Sequence, residues 1–319
     1  MKHILVSLPL DDASRRWLEA RVADLPEEYA FRYCPVNAAT PEDATEADVI
    51  LGYVPTAALR AAKHLEWYQL SWAGADAVLA EGLPERVVLT NAAGAYGLAV
   101  GEHMVATTLA LVKRLHQYAR LQAAHDWRLL DMVRTVEGAT VLVLGVGDIG
   151  SCYAKKMKAL GASVIGVKRT PGPKPEWLDE LHQLDALDAL LPRADIVAMA
   201  LPGGQATANL MDARRFARMK PGAFLVNAGR GNSVELEALK SALAAGRLGG
   251  AALDVFDPEP LPAEDSLWDD PRVIVTPHCS GKFLLQETID RVVKLCGDNL
   301  RRYAHGEPLL HVVDRRLGY

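Results

Sequence analysis

Several features that would narrow the reading at once are missing. Cysteine is scarce, and Cys34, Cys152, Cys279 and Cys296 form no C-x-x-C pair. That spacing argues against a disulfide framework or a zinc site and suits a reducing cytoplasm. The nine histidines contain no H-E-x-x-H arrangement, so no metal is expected. No apolar run reaches the length of a membrane helix. The opening "MKHILVSLPLDD" is too short in its apolar part for a signal peptide, and Asp11 and Asp12 follow where a small-residue cleavage site would stand. It reads as a first strand, His3 to Ser7. There is no block of like charge, no low-complexity tract and no internal repeat. A net charge of -5 over 319 residues gives no footprint for nucleic acid. The remaining composition, half apolar and a quarter charged, is that of a globular chain long enough for two domains.

The clearest local signal is "TVLVLGVGDIGSCYAKKMKALGASVIGV". An apolar β-branched run, Val141 to Leu144, leads into Gly145, Gly147 and Gly150. A helical stretch and a second apolar run, Ser163 to Val167, follow. Strand, G-x-G-x-x-G turn, helix and strand within about thirty residues is the context a dinucleotide pyrophosphate requires. The first glycine turns the chain, the second admits the phosphate, and the third lets the helix pack on the strand. The helix N-terminus supplies free N–H groups.

Further apolar runs, Asp195 to Ala200, Ala223 to Ala228, Ala251 to Asp254 and Val273 to Thr276, alternate with helical segments. This predicts an α/β fold, a doubly wound parallel sheet of six strands. Ligands of such sheets sit beyond the carboxyl ends of the strands. The cofactor residues expected there are Gly145, Gly147, Asp148, Ile149 and Gly150 in the turn. Lys168, Arg169 and Thr170 follow the second strand, Leu201 and Pro202 the third, and Ala228 and Gly229 the fourth. Asp254 ends the fifth strand, where it is expected either to contact the cofactor or to orient the loop to Glu259; Ser280 and Gly281 come after the last. The stretch "NAGRGNSV" places Arg230 between two glycines at this rim, where they are expected to let the chain pass close to a nicotinamide.

The residues before the fingerprint suggest a smaller, flavodoxin-like α/β substrate domain. The domains are expected at 1–97, 98–288 and 289–319, the last segment returning to the first. A long helix is expected at about Ala99 to Ala119; its early part, "VGEHMVATTLALVKRL", is apolar on too many sides to have a wet face, which predicts burial both by its own domain and by a partner subunit.

Glu259, in "DVFDPEP", and His278, in "TPHCSG", fall on the same edge as Arg230. A carboxylate beside an imidazole favours its charged form and orients it. An imidazolium can protonate the oxyanion left by hydride transfer, and arginine can grip a carboxylate through two hydrogen bonds. The set suits reduction of a 2-oxo acid or oxidation of a 2-hydroxy acid. Cys279 is read as inert, Glu102 and His103 as capping or packing residues.

"GVGDIG", "NAGRG", "LDVFDPEPLP" and "TPHCSG", in that order, make the chain similar to the D-isomer-specific 2-hydroxyacid dehydrogenases, glyoxylate/hydroxypyruvate reductases among them. The resemblance runs from "WYQLSWAGAD" to the end. It implies Arg230 as substrate binder, Glu259 as partner of the histidine and His278 as proton donor. It implies that backbone N–H groups of Ser71, Trp72, Ala73, Gly74 and Ala75 bind the substrate carboxylate, that Tyr96 contacts substrate, and that the chain forms a homodimer. Trp72 is bulkier than the family's usual residue and predicts a narrowed or apolar pocket. Lys168 and Arg169 stand where members preferring NAD carry an acid, which predicts NADP(H) over NAD(H). Formate dehydrogenases carry glutamine in place of Glu259, and a serine-regulated type would need a third domain. The alternative is a nucleotide-sensing, corepressor-like binding protein of the same fold; such relatives usually carry disordered tails, and none is expected here.

Overall fold

Strands that are apolar at every position must be covered on both faces, and the central strands here are buried along nearly their whole length. The structure is a computed structural model that describes residues 1–316 and Gly318. It divides into two units: Met1–Tyr96 with the chain from Phe283 onward, and Gly97–Lys282.

Unit 1 holds five parallel strands, β1 Lys2–Ser7, β2 Tyr29–Tyr33, β3 Val49–Gly52, β4 Trp67–Gln69 and β5 Val88–Thr90, in the order β2-β1-β3-β4-β5. That is the flavodoxin-like order. The helix Gln286–Ala304 belongs wholly to this unit. Its Gly297 lies so close to the Trp17 ring that a Cβ would fall 2.3 Å from it. Its buried Asn299 donates to Gln69 Oε1 (2.8 Å) and Leu310 O (3.0 Å). The second boundary therefore falls at 282/283, before this helix, and not at 288/289 as expected.

Unit 2 holds seven parallel strands: β6 Thr140–Leu144, β7 Ser163–Val167, β8 Glu180–His182, β9 Ile196–Met199, β10 Ala223–Asn227, β11 Leu248–Leu253 and β12 Val273–Val275. Their order, β12-β11-β10-β9-β6-β7-β8, is doubly wound about β6 and β9. The expected six strands are joined by β8, whose three half-buried residues form no apolar run. The single long helix is also corrected. The chain makes two helices, Gly97–Val112 and Leu115–Ala123, separated at Arg114, which takes a left-handed φ of 56°. The His116 ring lies between the carbonyls of Ala110 and Pro271, 3.2 and 2.9 Å away, and so occupies the broken end. Among the described residues no helix is long and apolar enough to cross a membrane.

Candidate active site

The ends of β10, β11 and β12 bring three chain segments together in unit 2. After β10, Asn227 holds the turn from both sides: Oδ1 accepts the Gly229 N–H (3.0 Å) and Nδ2 donates to Arg230 O (3.0 Å). The glycines beside Arg230 are needed for protein contacts. A Cβ on Gly229 would lie 2.7 Å from Leu201 O, and one on Gly231 would lie 1.9 Å from the Phe256 carbonyl carbon. This corrects the expectation that they make room for a nicotinamide. They pack the Arg230 turn against the segment after β9 and against the loop that carries Glu259. Arg230 itself is half-buried and extended, with Nη1 donating to Gly229 O.

Glu259 is oriented by its own loop, since Oε1 accepts the Phe256 N–H at 2.9 Å. Oε2 lies 2.8 Å from Nδ1 of His278. His278 adopts φ 48°, a left-handed conformation unfavourable for a residue with a side chain. Such strain persists only where the surroundings enforce it, and here Asp254 does so. The carboxylate is 2 % exposed. Oδ1 accepts from Thr276 Oγ1 (2.6 Å) and Cys279 N (3.0 Å); Oδ2 accepts from Ser280 N (3.1 Å) and Ser280 Oγ. Asp254 was expected among the cofactor residues. In the structure both oxygens anchor the loop that holds His278, and the Ser280 hydroxyl is spent on it too. The sequence allowed Asp254 a loop-orienting role, but toward Glu259; nothing local shows that residues 22 to 26 positions onward return to its carboxylate.

His103 Nε2 approaches this anchor, 3.2 Å from Thr276 Oγ1, while Glu102 faces outward to Lys156 (3.0 Å). Burial and the neighbouring Asp254 push the Cys279 thiol up, which keeps it a thiol.

The glycine turn shows three separate physical roles. Gly145 has φ 92°, and a Cβ there would meet Ala200 O at 2.7 Å. Gly150 packs its helix so tightly that a Cβ would lie 1.9 Å from Gly145 O. At Gly147 a Cβ would meet nothing within 4 Å, so the backbone faces open space. The opening lies at the start of the helix Asp148–Ala159, where free N–H groups suit an anion. The Asp148 side chain turns away to the start of the preceding helix, accepting the Gly97 N–H at 2.6 Å. Ile149 is half-buried behind it. Lys168 is half-buried after β7, Arg169 and Thr170 are exposed, Leu201 and Pro202 are half-buried after β9, and Gly281 is half-buried beside Ser280. Ala228 is buried, with its N–H bonded to Met199 O (3.1 Å).

In unit 1 the loop after β4 carries Ser71, Trp72, Ala73 and Gly74. The N–H groups of Trp72, Ala73 and Gly74 have no acceptor among the described residues. The Trp72 ring packs against Tyr53 at a tilt of 42°, with centroids 4.4 Å apart. Tyr96 is 5 % exposed and its hydroxyl donates to Ser71 O at 2.5 Å. It thus holds the loop from behind, whereas contact with substrate was expected.

A family model described as the NAD binding domain of D-isomer specific 2-hydroxyacid dehydrogenases matches residues 105–280, more than half of the chain. The chain belongs to the D-isomer specific 2-hydroxyacid dehydrogenase family. It is 30% identical to glyoxylate/hydroxypyruvate reductase A of Serratia proteamaculans over 96% of both chains. A family protein from Aeromonas salmonicida superposes with a TM-score of 0.85 at 33% identity, covering 98% of this chain and 99% of that one. An NADPH-dependent glyoxylate/hydroxypyruvate reductase from Sinorhizobium meliloti, solved with NADP and sulfate, has a TM-score of 0.83 at 28% identity, with both chains covered in full. The protein is an NAD(P)-dependent oxidoreductase that moves a hydride on 2-hydroxyacid substrates. The alternative of a nucleotide-sensing binding module finds no support in these relatives.

Proposed function

We propose that the enzyme reduces a small 2-oxo acid to the D-2-hydroxy acid with NADPH, glyoxylate and hydroxypyruvate being the first substrates to test. The observation that carries this reading is the 2.8 Å contact between Glu259 Oε2 and His278 Nδ1. It fixes the ring so that Nε2, which has no partner among the described residues, is the free proton-bearing atom. A bound nicotinamide supplies the hydride. His278 Nε2 then gives its proton to the oxygen that becomes a hydroxyl, and Glu259 stabilises the imidazolium beforehand. Arg230 offers the oxo acid a rigid fork. In unit 1 the open N–H groups of Trp72, Ala73 and Gly74 offer donors suited to a carboxylate. The glycine turn holds the cofactor pyrophosphate at Gly147.

The lead relatives support this substrate class by what they are named for. The decisive experiment is turnover of a panel of 2-oxo acids with each cofactor. Absence of turnover with every acid and both cofactors would refute the reading.

We further propose a homodimer. Beyond the helix Leu115–Ala123, Trp127, Leu129 and Met132 are almost fully exposed within six residues of chain, and this much exposed apolar side chain is what a partner subunit would cover. A monomer by light scattering at micromolar concentration would refute it.

A further inference from the structure

Three consecutive carbonyls in the loop after β4 are each fastened from the same neighbouring segment, residues 91–96. Ser71 O accepts the Tyr96 hydroxyl (2.5 Å), Trp72 O accepts the Ala92 N–H (2.9 Å), and Ala73 O accepts Asn91 Nδ2 (2.8 Å). Asn91 is itself oriented, because its Oδ1 accepts the Ala93 N–H at 3.1 Å. With the carbonyls drawn back into the protein, the N–H groups of Trp72, Ala73 and Gly74 have no acceptor among the described residues. Successive unpaired N–H groups make an anion-binding concavity.

Neither Tyr96 nor Asn91 has a side chain available to a ligand. Both residues are about nineteen-twentieths buried. Burial pushes the Tyr96 phenol above its usual range, so it keeps its proton and remains a donor at any working pH. Ser71 contributes its carbonyl alone to this arrangement: its hydroxyl is buried and has no partner among the described residues.

We infer that Tyr96 and Asn91 are positioning residues that aim the backbone N–H groups of Trp72, Ala73 and Gly74 at the carboxylate of the substrate. They act through the loop and touch neither substrate nor cofactor. This rests on the proposed reading of the loop as the carboxylate receptor and adds the side chains that make it one. The energetic reasoning is local. A loop whose carbonyls are released can rotate its peptide planes, and a binding site must then be reordered at each binding event.

The test is Tyr96→Phe, which keeps the ring and deletes the donor, with Asn91→Ala as a second variant. Tyr303→Phe is the control, since it removes another phenol in unit 1, one bonded to Glu66. Tyr96→Phe and Asn91→Ala should each raise KM for the 2-oxo acid about tenfold, the effect of one lost buried hydrogen bond. Their kcat and their KM for NADPH should stay within about threefold of wild type. The control should change none of the three. An unchanged 2-oxo acid KM in Tyr96→Phe would overturn the inference, as would an equal rise in KM for NADPH.

Oxamate binding, measured by calorimetry on the NADPH complex, separates this inference from the reading on which it rests. Weaker oxamate binding by Tyr96→Phe supports the inference even if the wild type reduces no 2-oxo acid tried, a result that would sink only the proposed activity. Equal oxamate affinity in wild type and variant, or none in the wild type, overturns it.

Discussion

Glu259 is held at both oxygens: Oε1 by the Phe256 N–H at 2.9 Å, and Oε2 against His278 Nδ1 at 2.8 Å. The carboxylate therefore cannot swing without losing one bond, and the imidazole it faces is fixed in orientation. That rigidity is what a proton donor needs, because its geometry is set before substrate arrives. His278→Asn should keep NADPH affinity near wild type and lower kcat by roughly 10²–10⁴, the usual worth of a positioned acid–base. Unchanged turnover across the pH range would remove His278 from the mechanism.

Glu259→Gln tests the pair in a different way. Glutamine keeps the shape of the side chain but puts a neutral group where a charged one faces His278 Nδ1, so the bond that orients the ring is weakened. The kcat for reduction should fall by roughly tenfold or more, the worth of about 1.4 kcal/mol, with KM for NADPH little changed. A kcat equal to that of wild type would show that the contact has no part in proton transfer.

The loop behind His278 gives a third expectation. Asp254 accepts from Thr276, Cys279 and Ser280 with both oxygens. In Asp254→Asn an amide NH₂ must replace one of those acceptors and will face one or more donors. Leaving a buried donor unsatisfied costs about 1–3 kcal/mol, and the strained φ of His278 has less to enforce it. A fall in Tm together with a fall in kcat is expected. A variant that loses only cofactor affinity, with Tm and kcat intact, would return Asp254 to the cofactor site.

These residues differ in how far the sequence reveals them. Gly145, Gly147 and Gly150, Arg230, Glu259 and His278 all follow apolar runs that end at one sheet edge, so period and position suffice to find them. β8 was missed because Glu180–His182 is short and half-buried, and the pairing with β7 defines it. The helix break at Arg114 was missed because a left-handed residue is normally signalled by glycine or asparagine. The glycines beside Arg230 were found, but their cause was not, since Leu201 and Phe256 meet them only in the folded sheet. Tyr96 was placed in the site for the same reason in reverse: its position is visible in sequence, whereas the partner of its hydroxyl is not.

The last prediction concerns the cofactor. An NAD site needs an acceptor for the ribose 2′-OH just past the second strand of the fold. β7 is that strand, and Lys168, Arg169 and Thr170 follow it without a carboxylate. The backbone at these cations is tied toward β8, with Lys168 N–H donating to His182 O (3.0 Å) and Gln183 Nε2 donating to Arg169 O (3.3 Å). On β8 stands Glu180, a neighbouring acid that could substitute, but it is already engaged. The Arg193 fork and the His182 ring, 2.8 Å away, pull its carboxyl down to about 2. Two cations beside an acid already engaged suit a 2′-phosphate, which arginine can grip through two hydrogen bonds. The expected preference for NADPH over NADH in kcat/KM is about tenfold or more, or about 1.4 kcal/mol. Arg169→Ala should weaken NADPH binding and leave NADH binding almost unchanged, so that the preference shrinks from one side only. Equal kcat/KM for the two cofactors in the wild type, or a preference for NADH, would show that these side chains serve the surface; the proton chemistry at His278 would be untouched by that outcome.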